Sequence, residues 1–348
     1  MPLRRKLLIA ILLLMAVAVL GFWIYRRSAG PPEITRLLPE GDVIVYANLK
    51  PAHLWDLARS KPVHVEGDYQ RFIDQTGIQF ERDLDEVAMS RRDTADGRDT
   101  ESAEVFVGRF DEQRLRSFLD SISAQHDSYH GRILYVVPHE GHTVRVCLLG
   151  SRRVAVTNMA AADAMHEIID AAENSPAGPS LLQAYYPHVP AASLAWLLVR
   201  TGSGSQTAQL ASGWSFNFLE NTVTVGSVRY EGDLLLRADV ITASDDAAKQ
   251  VLDSASNFLS MYRTIAQSVG ARGNDPDVKA AIDSIRVAQK KNVAVFTATL
   301  SQRFLKKVVS EAGSQAAAPA APPSPTPRPK HPRHRHHRSK ARPTPPAA

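Results

Sequence analysis

The chain of 348 residues is 44% hydrophobic, carries a formal net charge of +5 and holds one cysteine, Cys147. A lone cysteine excludes an intramolecular disulfide and any zinc site built on cysteine thiolates. Residues 1–27 carry five basic groups and residues 316–348 seven, neither end has an acid, and taking both from +5 leaves a body near −7. That division excludes a basic nucleic-acid-binding fold for the roughly 290 residues between the ends, which suffice for one large or two ordinary domains.

Leu7 to Tyr25 is an uninterrupted apolar run, fenced by Arg4, Arg5 and Lys6 before it and by Arg26 and Arg27 after. As a helix it would cover about 28 Å, close to the ~30 Å hydrocarbon core of a bilayer, with Trp23 and Tyr25 where interfacial aromatics sit. The run predicts a transmembrane anchor over 7–25 behind a short basic cytoplasmic head over 1–6. A cleaved signal ending at Ala16-Val17-Ala18 is the rival, and Arg4-Arg5 echoes a twin-arginine leader. Residues 19–25 stay apolar, however, whereas a peptidase needs a polar, extended segment. A basic head before a long hydrophilic body is the layout of a signal anchor, so the expectation is a single-pass inner-membrane protein whose body faces the periplasm or extracytoplasmic space.

Along the body, Leu38-Pro39-Glu40-Gly41-Asp42 turns into a short strand over 43–46, and Leu54, Trp55, Leu57 and Ala58 mark one helix face. A second helical stretch around Tyr69, Phe72 and Ile73 ends at Gly77. Strands are predicted over 87–90 and 105–110, flanking a polar loop over 91–102. Asp111 then caps a helix with Leu115, Phe118, Leu119 and Ile122 at core-facing spacing. Strands over 133–137, 143–149 and 153–157 follow on short links, which implies antiparallel pairing. Ala161 to Ala172 is helical, and Pro176-Ala177-Gly178-Pro179 marks a domain boundary. The second half offers a strand over 193–199 and a hairpin, 222–230 with 234–241, around Glu231-Gly232-Asp233. It continues with a long helix carrying Val251 to Val269 on one stripe, a helix opened by Asp275-Pro276, a strand over 293–300 and a Ser301-capped helix through Val309. The expected fold class is α+β: two antiparallel-sheet halves, 34–175 and 190–313, each covered by helices, and related by duplication.

An apolar anchor, then Leu38-Pro39-Glu40-Gly41-Asp42-Val43 leading into a strand that ends Tyr46-Ala47-Asn48, then tandem sheet-and-helix halves, resembles uncharacterised exported bacterial domains that open with a similar Leu-Pro-x-x-(Asp/Thr) strand. The resemblance implies an exported location and this fold, and it carries over no functional residue.

Few residues point to chemistry. The acids of Asp93 to Glu101 miss the 1, 3, 5 spacing of a calcium loop, and Arg91, Arg92 and Arg98 neutralise them. His139 and His142 lie three apart across a turn, a spacing some zinc sites use, but two further ligands would be needed. Cys147 reads as a small strand residue. No Gly-x-Ser-x-Gly elbow, phosphate loop or dinucleotide fingerprint occurs, so no catalytic residue is assigned and no cofactor is called for.

The tail, 316–348, holds seven basic residues, Arg328, Lys330, Arg333, Arg335, Arg338, Lys340 and Arg342, with no acid and no large apolar residue past Pro319. It cannot bury a core, and its composition predicts disorder. Those bases suit anionic envelope polymers or lipid headgroups, while His334, His336 and His337 are the tail's weaker metal candidates. Together these features predict a non-catalytic, membrane-anchored envelope protein with an interaction or scaffolding role. The alternatives are an envelope hydrolase with a site assembled from scattered residues and, if the topology is inverted, a nucleic-acid tether.

Overall fold

The computed structural model describes residues 30–51, 67–93, 100–139, 141–159, 162–202, 206–209, 215–218, 220–268 and 276–304. In chain order these form α1 (Glu33–Arg36), β1 (Val43–Asn48), α2 (Asp68–Thr76), α3 (Phe80–Asp83), β2 (Leu84–Asp93), β3 (Thr100–Gly108) and α4 (Glu112–Ile122). Next come β4 (Gln125–Tyr129), β5 (Arg132–His139), β6 (His142–Leu148), β7 (Arg153–Thr157), α5 (Asp163–Asn174) and α6 (Ser180–Tyr185). The remainder holds β8 (Ala195–Arg200), β9 (Gln206–Gln209), β10 (Ser215–Phe218), β11 (Val223–Tyr230), β12 (Leu234–Ile241), α7 (Asp245–Ser268), α8 (Pro276–Asp283), β13 (Arg286–Lys290) and β14 (Val293–Leu300).

Twelve of these strands make one antiparallel sheet in the order β13-β14-β12-β11-β8-β1-β2-β3-β7-β6-β5-β4. This overturns the expectation of two separate antiparallel-sheet halves. β1 and β8 pair directly, from Val43 opposite Val199 to Ala47 opposite Ala195, so the chain's two parts share one sheet. The proline-rich segment expected to divide them is tied to the first part: Ser180 donates its backbone N–H and its hydroxyl to the Glu40 carboxylate at 2.6 and 2.8 Å. Leu181 and Leu182, next along, are fully buried. No helix among the described residues is long and apolar enough to cross a membrane, and the expected anchor, residues 7–25, lies outside them. The tail, 316–348, and the helix expected at 54–58 also lie outside them.

Read outward from the β1–β8 seam, the two sides have one topology. β1-β2-β3-β7-β6 and β8-β11-β12-β14-β13 are each a three-strand meander, then helix, then a hairpin whose second strand pairs with the meander's third. The first side alone adds β4 and β5 beyond β6.

Alternation along each strand sends successive side chains to opposite faces. One face, with Ile44, Tyr46, Val105, Cys147, Ala155, Trp196, Leu198 and Val225, packs on Ile34 and Leu37 of the α1 region, on Met165, Ile168 and Ile169 of α5 and on Leu181 and Leu182 of α6. The other carries a smaller cluster, Ile78, Leu115, Leu119, Tyr135, Val146, Leu148 and Val154, beneath α2 and α4. β2 and β3 run further into the expected loop than apolar content indicates. Arg92 and Glu101, register partners in that extension, form a 2.7 Å ion pair that supports pairing where no hydrophobic residue does.

Candidate apolar binding cleft

The α2–α4 side of the sheet encloses a cavity of about 320 Å³. Its roof is α4. Asp111 accepts a hydrogen bond from the Arg114 N–H at 3.1 Å, holding the first turn, and the i, i+3, i+4, i+7 set Leu115, Phe118, Leu119 and Ile122 points down. The aromatic wall comes from α2 and α3: Phe72 meets Phe118 edge-on at 5.3 Å and lies tilted at 39° to Phe80 at 5.2 Å, while Tyr69 stacks on Phe80 at 5.1 Å. The Tyr69 hydroxyl accepts from the Phe80 N–H and donates to Glu81, which fixes that wall.

The floor is the sheet itself. Phe106 of β3, Val137 of β5, Val144 and Val146 of β6, and Val154 and Val156 of β7 occupy alternate positions and so share its face. Two glycines let the walls close. Gly77 ends α2 at φ 73° with its N–H on the Ile73 carbonyl, and a Cβ there would lie 2.7 Å from Arg114 Nη1. At Gly108 a Cβ would fall 2.4 Å from the Asp83 carbonyl oxygen and 2.9 Å from the Phe110 ring.

Among the described residues that line it, His139 is the one titratable group, and none is a serine, threonine or cysteine. Two rim residues, Phe80 and Ile122, are large hydrophobics left 44% and 39% exposed. A cleft of this kind removes apolar surface from water.

The two ends differ. Phe110 lines both the cleft and an adjoining open depression bounded by Arg109, Asp111, Ser151 and Arg152. At this end Asp83 is about nine-tenths buried; burial pushes its carboxyl up, but the Arg82 fork at 2.9 and 2.8 Å, the Gln79 N–H and Arg109 together hold it below the ordinary range. Along β3 in the other direction stands Glu104, on the face of Phe106 and opposite Val156. Its carboxyl has no hydrogen bond or ion pair among the described residues, and burial raises its pKa.

Of the residues singled out in the sequence, His139 and His142 are cross-strand partners at the tip of the β5–β6 hairpin. No group of three or more His, Cys, Asp or Glu able to hold a metal occurs among the described residues. Cys147 is fully buried on the opposite face of the sheet, and that burial pushes its thiol up to about 11. The tail bases Arg328, Lys330, Arg333, Arg335, Arg338, Lys340 and Arg342 and the tail histidines lie outside the described residues. What the sequence reading missed is the cleft as such, since its lining was assigned to core. A usable signal was the phenylalanines: five of the chain's eleven, Phe72, Phe80, Phe106, Phe110 and Phe118, line it.

No family model matches this chain, and no curated protein matches it. Among solved structures it is similar to TP0453. Crystal form III of that protein aligns at TM-score 0.44 and 12% identity over 81% of this chain and 99% of the other. Form IV aligns at TM-score 0.43 and 12% identity over 79% and 96%.

Proposed function

We propose that this chain is a non-catalytic binding protein held at a membrane by residues 7–25, with the cleft beneath α4 as its binding element for an apolar chain. The observation that carries this reading is the lining: of the sixteen described residues that form it, only His139 is not apolar. The volume lies at the small end of the ~300–1,000 Å³ range of ligand pockets, which suits a single slender chain. Burying each methylene there contributes about 0.8 kcal/mol before the cost of ordering the ligand. The tail's seven bases would add attraction to anionic envelope polymers or lipid headgroups. A hydrolase would need a nucleophile within reach of a base, and the described residues that line the cleft include no such pair.

The test is photolabelling of the full-length protein, held in discs of uncharged lipid, by a diazirine-bearing dodecanol. Adducts are expected on the cleft lining, lost in Val144→Trp, which fills the floor, and kept in Ile133→Trp, whose side chain is 42% exposed elsewhere. Labelling that misses the lining, or that survives Val144→Trp unchanged, sinks the reading.

A further inference from the structure

The geometry points to a single-chain anionic amphiphile as the occupant, its tail beneath α4 and its acidic head between Arg109 and Arg152. This rests on the cleft reading above and adds the charge and orientation of the ligand. Phe110 is the hinge of the argument, because its ring is a wall of both the apolar cleft and the arginine-lined depression, so a chain leaving the cleft at that end emerges among guanidinium groups. α4 spans about 16 Å, so tail and head sites lie in line along one helix.

Arg109 is 62% exposed and reaches Asp83 only at 3.9 Å, while Asp83 is already held by Arg82 and the Gln79 N–H. Its remaining contact is a 2.7 Å hydrogen bond to the Arg82 carbonyl. Arg152, 61% exposed, spends Nη2 on Asp85 at 2.6 Å and Nε on the Gly108 carbonyl at 3.5 Å. Each guanidinium has five N–H donors in a fixed fork, so both keep donors for a carboxylate or phosphate. Asp111 also borders the depression and keeps its negative charge there, with Oδ1 accepting from the Arg114 N–H in the first turn of α4, so the head must favour the two guanidinium groups over it. Ser151 adds a hydroxyl. Glu104, outside the lining, lies in the opposite direction along β3 from Arg109, so a head placed at that end would meet a carboxyl that has no partner among the described residues.

The experiment compares photoreactive dodecanoic acid with the matched dodecanol on the full-length protein in discs of uncharged lipid. The acid is expected to label the cleft at about tenfold lower concentration than the alcohol, the difference expected from one charge-assisted contact, and Arg109→Gln is expected to bring acid labelling down to that of the alcohol measured on the same variant. Arg109 meets Asp83 only at 3.9 Å, and a thermal melt of Arg109→Gln followed by circular dichroism checks that its fold is kept; Arg152→Lys, which keeps the charge but loses the fork, should reduce the preference in part. Equal labelling by acid and alcohol in the wild type, or an acid preference that survives Arg109→Gln, overturns the inference and leaves the cleft reading standing. Absence of cleft labelling by either probe overturns both.

Discussion

Tyr46 and Trp196 stack across the seam of the sheet, with ring centroids 5.6 Å apart and planes at 29°, as direct register partners in β1 and β8. The pair is 6% and 3% exposed, the Tyr46 hydroxyl donates to Glu86 at 3.2 Å, and Tyr186 closes edge-on over Trp196. Two segments far apart in sequence thereby share one core, and the two sides of the sheet should unfold together.

Trp196→Ala is accordingly expected to cost about 3–5 kcal/mol. Hydrogen exchange should show protection falling equally in β2–β3 and in β11–β12, within one cooperative transition. Retention of full protection on either side would show that the seam does not couple them.

Local signals were legible and long-range ones were not. The α4 stripe from Leu115 to Ile122 and the hairpin around Glu231-Gly232-Asp233 declare themselves within a dozen residues, because helix periodicity and turn chemistry are local. The β1–β8 pairing leaves no such mark, since Val43 and Val199 meet only when the sheet is assembled. Edge strands are equally silent: Gln125–Tyr129 is exposed along nearly all its length, so it shows neither alternation nor apolar content, as suits a strand that must not recruit further strands. The cleft was hidden for another reason. Leu119, buried in its roof, and Phe80, exposed on its rim, have the same apolar character in sequence as a residue in a closed core.

The cap of α4 should control the roof of the cleft. Asp111→Ala removes the acceptor of the Arg114 N–H, and the expected loss is about 1 kcal/mol of stability. Because Leu115 and Leu119 hang from that first turn and the one after it, exchange should accelerate at amides 112–116 before it does in the strands beneath. Uniform acceleration across the sheet would show that the cap serves global stability alone.

The proposed anchor makes a separate prediction. Full-length protein should stay with the membrane pellet through alkaline carbonate extraction, and a chain lacking residues 4–27 should move to the supernatant. An epitope after Ala348 should be lost to protease once the outer barrier is permeabilised. Epitope survival until the inner membrane is lysed would invert the topology and point the tail at the acidic inner leaflet or nucleic acid.

Glu104 predicts a pH dependence of stability. Burial raises its carboxyl pKa in the folded state, so the folded chain holds that proton in a window where the unfolded chain has released it. Protons bound are then fewer in the unfolded state, and stability falls as pH rises from the ordinary glutamate value of about 4.3 through the raised folded one. Above that window the penalty remains of a half-buried carboxylate that has no partner among the described residues. Glu104→Gln keeps the shape and removes the charge, so it should raise the melting temperature at pH 7 by a few degrees. Near pH 4, where the wild-type carboxyl is itself protonated, the two proteins should melt together. A difference that stays constant across that range would mean that the amide gains from packing or hydrogen bonding, and that the desolvated charge is not the source.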